Sequence, residues 1–270
     1  MLNGGANIAD WVFYATAAIG GALLGSFLNV VIHRGPVMWK LVEEPARGNL
    51  ISPRSSCPAC GAKIRGWRLI PLVSYAILGG KCADCGAKIS LRYPLVELMG
   101  AAAGVVALLL FGLTGEAGLA FVFFLFLIAL GVIDHETGYL PDALTLPLIL
   151  LGFLANAFSL FAPVTDALLG AIIAYGAFRL IDLAFTRLRG LEGLGQGDAK
   201  LLAALGAWLG WMMLPVIVFL AALLALAGVL AMALGGAKME RETPVAFGPA
   251  LAAAGALAMI AQGLRLSFFF

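Results

Sequence analysis

The chain has 270 residues, of which 62% are hydrophobic and only 12% charged, against roughly 45–50% apolar and about 25% charged in a soluble domain. Together with a mean hydropathy of +1.02, this excludes an ordinary globular enzyme, a disordered chain and a simple nucleic-acid binder, and leaves an integral membrane protein. The net charge of +2 averages two unlike parts: residues 34–93 carry ten of the seventeen Lys and Arg against three acids, net +7, and the remainder is net −5.

A membrane-spanning helix needs about 20 mostly apolar residues. Residues 1–10 contain no Lys or Arg and so lack the basic start of a cleaved signal peptide. The charge-free run 11–32 is therefore predicted to be a retained first span, within a first segment 1–33. The cationic segment 34–93 follows, and by the excess of basic residues on cytoplasmic loops it belongs on the cytoplasmic side, with the N-terminus outside.

That segment holds all four cysteines, as Cys57-Pro-Ala-Cys60 and Cys82-Ala-Asp-Cys85, separated by 21 residues. Each pair is followed by the same text, Gly61-Ala-Lys-Ile64 and Gly86-Ala-Lys-Ile89, so the knuckle is duplicated with a period of 25. Two thiolates two residues apart grip one side of a tetrahedral zinc, and two such knuckles complete a Cys₄ site. Four protein thiolates leave no open coordination position, which makes the zinc structural. A reducing location argues against the alternative of two disulfides. The basic residues around the knuckles (Lys63, Arg65, Arg68, Lys81, Lys88 and Arg92) are placed to meet anionic membrane lipid.

From residue 94 on, the sequence reads as a transmembrane domain, 94–270. Charge-free runs at 98–114, 117–133, 143–165 and 243–264 are spans, as is 167–186, where Arg179 and Asp182 lie three apart on one helix face and can pair. The run 201–237 is too long for one crossing. Gly210-Trp211 and Pro215 divide it into a short span and a longer one. The total is eight, with seven as the alternative count, and the fold class is an all-α polytopic membrane protein. Its parity brings segment 34–93, Asp134 and Asp198 to the cytoplasmic side.

Most acids read as solvated or boundary charges, among them Glu192, Glu240 and Glu242. Three stand out: Asp134 at the end of the third span, Asp198 closing Gly195-Gln-Gly-Asp198 before the sixth, and Glu97 at the start of the second. An acid at the edge of hydrocarbon is costly and marks a functional site. After Asp134, Pro141 stops one helix and allows another to start, and Asp142 reads either as part of the site or as a helix cap. Gly195 and Gly197 clear space beside Asp198 for another backbone. Two carboxylates about 3 Å apart share a proton; one then activates water while the other polarises a scissile carbonyl. Lys200 reads as an interfacial cation. A zinc-protease motif is not completed by His135-Glu136, and His33 is poorly placed to serve Ser26 as a base. A transporter in which Asp134 and Asp198 relay protons is the competing class.

These motifs resemble the bacterial type IV prepilin peptidases, the leader peptidase/N-methyltransferases of the GxGD aspartyl proteases, over nearly the whole chain. The resemblance rests on Gly25-Ser-Phe-Leu-Asn-Val-Val-Ile32 with Arg34 and Pro36, the two cysteine pairs, and Arg92-Tyr-Pro-Leu-Val-Glu97. It rests equally on Asp134 with Leu140-Pro-Asp142, and on Gly195-Gln-Gly-Asp198. It implies cleavage of short basic leaders from type IV prepilins or type II secretion pseudopilins by Asp134 and Asp198 at the inner membrane, and N-methylation of the new N-terminus from S-adenosylmethionine. No residues for the methyl donor are indicated, and peptidase activity without methylation is the alternative. The chain departs from the family pattern at Leu69 and His33, both in the half associated with methylation.

Overall fold

The computed structural model describes residues 8–189, 195–235 and 246–265. The expected loop charges Glu192, Glu240 and Glu242 lie outside the described residues. Among those described, the chain is helical without strands. Its order is α1 (Ile8–Met38), a 3₁₀ turn at Gly66–Leu69, α2 (Val73–Ile77), α3 (Arg92–Phe111), α4 (Gly115–Thr137), α5 (Asp142–Ala157), α6 (Val164–Arg189), α7 (Gln196–Leu209), a 3₁₀ turn at Trp211–Met213, α8 (Leu214–Leu234) and α9 (Gly248–Gly263).

Setting aside the five-residue α2, these are eight helices for the eight expected spans. Five of them, α1, α3, α4, α6 and α8, are long and apolar enough to cross a membrane. Helices α5, α7 and α9 have 16, 14 and 16 residues. At about 1.5 Å per residue they fall short of a hydrocarbon core of about 30 Å. The long run divides where the sequence places its turn: α7 ends at Gly210, whose φ of +80° suits glycine.

The chain divides into two compact units within α4, between Ile128 and Ala129. In the first, α1 packs on α3 through small residues spaced four apart on each helix. A Cβ at Gly21 would collide with the Gly100 carbonyl, and one at Gly25 would stand 2.8 Å from the Val96 oxygen. Only glycine lets the two backbones touch, which is how helices without a hydrophobic driving force between them associate in lipid. The buried Asn29 adds a bond from Nδ2 to the Tyr93 carbonyl at 3.1 Å. Both helices outrun their charge-free stretches, α1 to Met38 and α3 back to Arg92, because charge marks where lipid ends and not where helical hydrogen bonding ends. Buried Arg34 uses that extra turn, donating from Nη1 to the Asn49 carbonyl (2.6 Å) and from Nη2 to the Pro53 carbonyl (2.7 Å).

In the second unit α7 is the central helix, and every residue from Leu201 to Leu209 is buried. A helix that is apolar all round has to be enclosed by others; here α5, α6 and α9 enclose it. Gly206 meets the backbone of Gly170. Trp208 fills the space left by Gly152 and donates from Nε1 to the Leu148 carbonyl at 2.8 Å. Fully buried Asn156 ties the end of α7 to the α5–α6 turn: Nδ2 donates to the carbonyls of Ala207 and Trp208, and Oδ1 accepts from the N–H groups of Phe161 and Ala162. Replacing it by Ala orphans several buried backbone groups. Asn156→Ala is expected to cost on the order of 3 kcal/mol, read as a lowered thermal midpoint of the detergent-solubilised protein. The expected Arg179–Asp182 pair forms at 2.8 Å on α6.

Candidate active site and metal centre

The cysteine segment folds as its repeat predicts. Ser56 bridges Lys63, and 25 residues later Lys81 bridges Lys88. Cys57 N–H donates to the Ala62 carbonyl as Cys82 N–H does to that of Ala87 (2.9 and 2.8 Å), and the N–H groups of Gly61 and Gly86 return to the carbonyls of Cys57 and Cys82. Gly61 and Gly86 turn these loops at φ +71° and +72°, a conformation glycine adopts without strain.

The four cysteines are free thiols, and their sulfurs all lie within 4.8 Å of one another, with 3.9 Å between Cys57 and Cys85. Zinc–sulfur bonds of about 2.3 Å put tetrahedral sulfurs a little under 4 Å apart, so the donor set fits a metal ion of that kind. The Cys57 thiol is pulled down to about 7, mainly by the backbone N–H groups of Cys60 and Ala59. Cys85 is held up at about 12: Ala87 N–H favours its thiolate, but Cys60, Cys82, Cys57 and desolvation together oppose it. Were all four ionised, thiolates at this spacing would repel one another unless a cation joined them.

Glu97 belongs to this unit. Its Oε2 accepts the N–H of Leu72 at 2.8 Å, fastening the chain before α2 to α3.

The second unit gathers the remaining acids. Asp134 sits one turn from the end of α4, 6% exposed, where the N–H of Gly138 (φ +71°) closes the helix on the Asp134 carbonyl at 2.8 Å. The chain then turns through buried Pro141 into α5. Asp198 occupies the first turn of α7, after Gly195 as its N-cap. The two carboxylates are within electrostatic range of each other. Of the flanking glycines, Gly197 faces the side chain of Leu140, where a Cβ would be 2.8 Å from that of the leucine, and Gly195 faces the carboxylate of Asp198 itself. The neighbour that needs the space at Gly197 is thus a side chain, not the backbone expected.

Asp142 makes no side-chain cap. Pro141 is the N-cap of α5, and Asp142 Oδ1 instead meets Lys200 Nζ at 2.6 Å, so Lys200 links α7 to α5 two residues from Asp198.

One participant has no counterpart among the sequence expectations. Gly248, the first residue of α9, donates its N–H to Asp134 Oδ2 at 3.1 Å, and a Cβ there would stand 2.5 Å from the same oxygen. Its signal is Phe247-Gly248-Pro249 near the start of the last charge-free run, a glycine set before the proline of a helix's first turn.

Fold and centre define an all-helical, multi-pass membrane protein with a four-thiol cluster and two aspartates, Asp134 and Asp198, within electrostatic range of each other. The Bacterial Peptidase A24 N-terminal domain matches residues 19–111 and the Type IV leader peptidase family matches residues 121–230. Proteins named prepilin leader peptidase/N-methyltransferase are similar along most of their length. That of Burkholderia pseudomallei is 46% identical over 258 residues, covering 90% of this chain and 83% of its own. The Pseudomonas aeruginosa protein is 46% identical over 255 residues (89% and 87%), and that of Neisseria gonorrhoeae 43% over 255 (88% and 87%). The chain belongs to the type IV leader peptidase family and is an enzyme of that family. No solved structure matches it.

Proposed function

We propose that this chain is an inner-membrane aspartyl peptidase that removes the leaders of type IV prepilins or type II secretion pseudopilins with Asp134 and Asp198, and then N-methylates the new N-terminus from S-adenosylmethionine. The peptidase reading is supported by the electrostatic proximity of Asp134, near the end of α4, and Asp198, in the first turn of α7. The substrate class and the methylation rest on what the relatives are named.

In this mechanism the pair holds one proton. The ionised carboxylate takes a proton from a water as the water oxygen attacks the scissile carbonyl carbon, and the protonated carboxyl gives its proton to the carbonyl oxygen. Collapse of the tetrahedral intermediate breaks the C–N bond, and the amine leaves with a proton from the pair. Gly248 N–H holds Asp134 Oδ2, leaving Oδ1 for the water. Pro141, Gly195 and Gly197 shape the approach, and the Lys200–Asp142 pair braces it. Cys57, Cys60, Cys82 and Cys85 hold a structural zinc. Bound there, it would supply a cross-link between the two knuckles and no open position for a reacting group.

The domain division that supports this reading is a first span in 1–33, a zinc-binding segment 34–93 and a peptidase domain 94–270. Segment 34–93 faces the cytoplasm and the N-terminus the outside, by its net charge of +7. An impermeant thiol reagent applied outside intact cells after metal stripping leaves Cys57 unlabelled if that orientation is right.

Cleavage of a purified prepilin by the reconstituted protein tests the peptidase, and transfer of a labelled methyl group from S-adenosylmethionine tests the second activity. A null result in the second assay alone leaves a peptidase. Gly248→Ala pushes a methyl group against Asp134 and is expected to lower kcat about 10–100-fold with a smaller change in KM. Unchanged kcat would remove Gly248 from the positioning of Asp134.

A further inference from the structure

A cavity of about 420 Å³ lies within the first unit, between the end of α1 and the segment leading into the first cysteine knuckle. Its lining contains Arg34, Arg54 and Arg65 and no acid. Arg34 is buried and its Nη1 and Nη2 groups are committed to backbone carbonyls, so it contributes a fixed charge that no carboxylate among the described residues neutralises. Arg54 and Arg65 are exposed, and neither has an ion pair among the described residues. Three guanidinium groups around one concavity call for an anion, and their planar forks suit phosphate oxygens.

The position of the cavity narrows the source of that anion. Val30 and Arg34 both line it, one turn apart on the same face of α1, and they straddle Ile32, where the charge-free stretch ends. That is the level at which lipid phosphates lie. The rim is apolar and unusually open for so polar a segment: Ile51 is 91% exposed and Leu69 49%. Trp67 and Ile70, beside Leu69 in the chain, are exposed as well. Exposed apolar side chains with a Trp, grouped beside arginines, match a membrane interface, where acyl chains cover the first and headgroups the second.

We infer that this cavity binds the phosphate of an anionic phospholipid headgroup. S-adenosylmethionine does not suit it, since the sulfonium and ammonium would enter among three cations with no acid to receive them. A zwitterionic headgroup is disfavoured for the same reason, its own cation facing the arginines. The inference concerns the first unit alone and stands apart from the peptidase reading.

The test uses the full-length, zinc-loaded protein in nanodiscs of phosphatidylcholine with and without phosphatidylglycerol, with lipid retention read by native mass spectrometry after transfer to detergent. Phosphatidylglycerol is expected to be retained selectively. In Arg54→Gln/Arg65→Gln its retention should fall roughly 20–30-fold, from the worth of two basic residues at an anionic surface. Lys81→Gln/Lys88→Gln, which removes the same charge from two surface lysines that do not line the cavity, should lower it far less. Equal losses in both variants would mean diffuse attraction and overturn the site. So would equal retention of the two lipids by the unsubstituted protein, which also decides the matter if the arginine variant fails to fold. Inorganic phosphate is the third arm: if it raises the thermal midpoint in phosphatidylcholine discs as much as phosphatidylglycerol does, the site takes free phosphate and the lipid assignment fails.

Discussion

Asp134→Asn and Asp198→Asn are each expected to reduce prepilin cleavage at least about 1000-fold, with the double variant little worse than either alone. Both groups serve one proton-transfer event, so removing one disables the other, and losses among residues that act as a unit do not add. Asparagine is the informative replacement. At position 134 its side-chain oxygen can still accept the Gly248 N–H that Asp134 Oδ2 accepts at 3.1 Å, so shape and packing survive while proton exchange does not. Zinc content and thermal midpoint should therefore stay near those of the parent protein. Asp142→Asn supplies the contrast. It breaks only the pair with Lys200, in which Asp142 is more than half exposed, and exposed pairs are worth about 0–1 kcal/mol. A loss beyond about fivefold would give Asp142 a direct part in the reaction. Full cleavage by both Asp134→Asn and Asp198→Asn would end the two-aspartate mechanism.

How much of this was visible in the sequence depends on what each feature answers to. Hydropathy reports which residues lipid or protein must cover, and so it located eight helices and the break at Gly210. Local repeats report local hydrogen bonding: the 25-residue period reappears in paired bridges and in two glycines with nearly equal φ. Contacts made across the fold left no such trace. The run that contains Gly248 is one more apolar stretch when read alone; its meaning comes from meeting Asp134, 114 residues earlier. Lys200 reads as a boundary charge until α7 is laid against α5, 58 residues apart in the pair. Glu97 is likewise an unusual acid whose partner, a backbone N–H at Leu72, carries no signal in its side chain. Helix ends are hidden for a related reason: the lipid boundary at Ile32 is visible in the charges, and the last turns of α1, which run on to Met38, are not.

The cysteine segment makes the second large prediction, because it has almost nothing else to hold it. Between residues 50 and 90 only Cys57, Pro71 and Gly80 are buried, which is no core, and the short helix α2 and two single bridges add few backbone bonds. A segment of this kind needs a staple to outweigh chain entropy. Structural zinc contributes about 10–16 kcal/mol of apparent binding energy in peptides at neutral pH, and that binding energy is folding energy. One zinc per chain is expected. Stripping it, or replacing any one of Cys57, Cys60, Cys82 and Cys85 by Ser, should make residues 50–90 the first site of limited proteolysis, raising the cleavage rate there by orders of magnitude. The sign of the pH dependence follows from the ligands. Zinc needs all four sulfurs deprotonated, so acid competes with the metal, and zinc content measured by atomic emission should fall as pH is lowered and recover when it is raised. Ser is too poor a zinc ligand to replace the thiolate, so the four single variants should behave alike; one that kept its zinc would reduce the site to three sulfurs. Unchanged protease resistance after complete zinc removal would mean that something other than the metal folds the segment, and the Arg34 bonds to Asn49 and Pro53 would then be the first place to look.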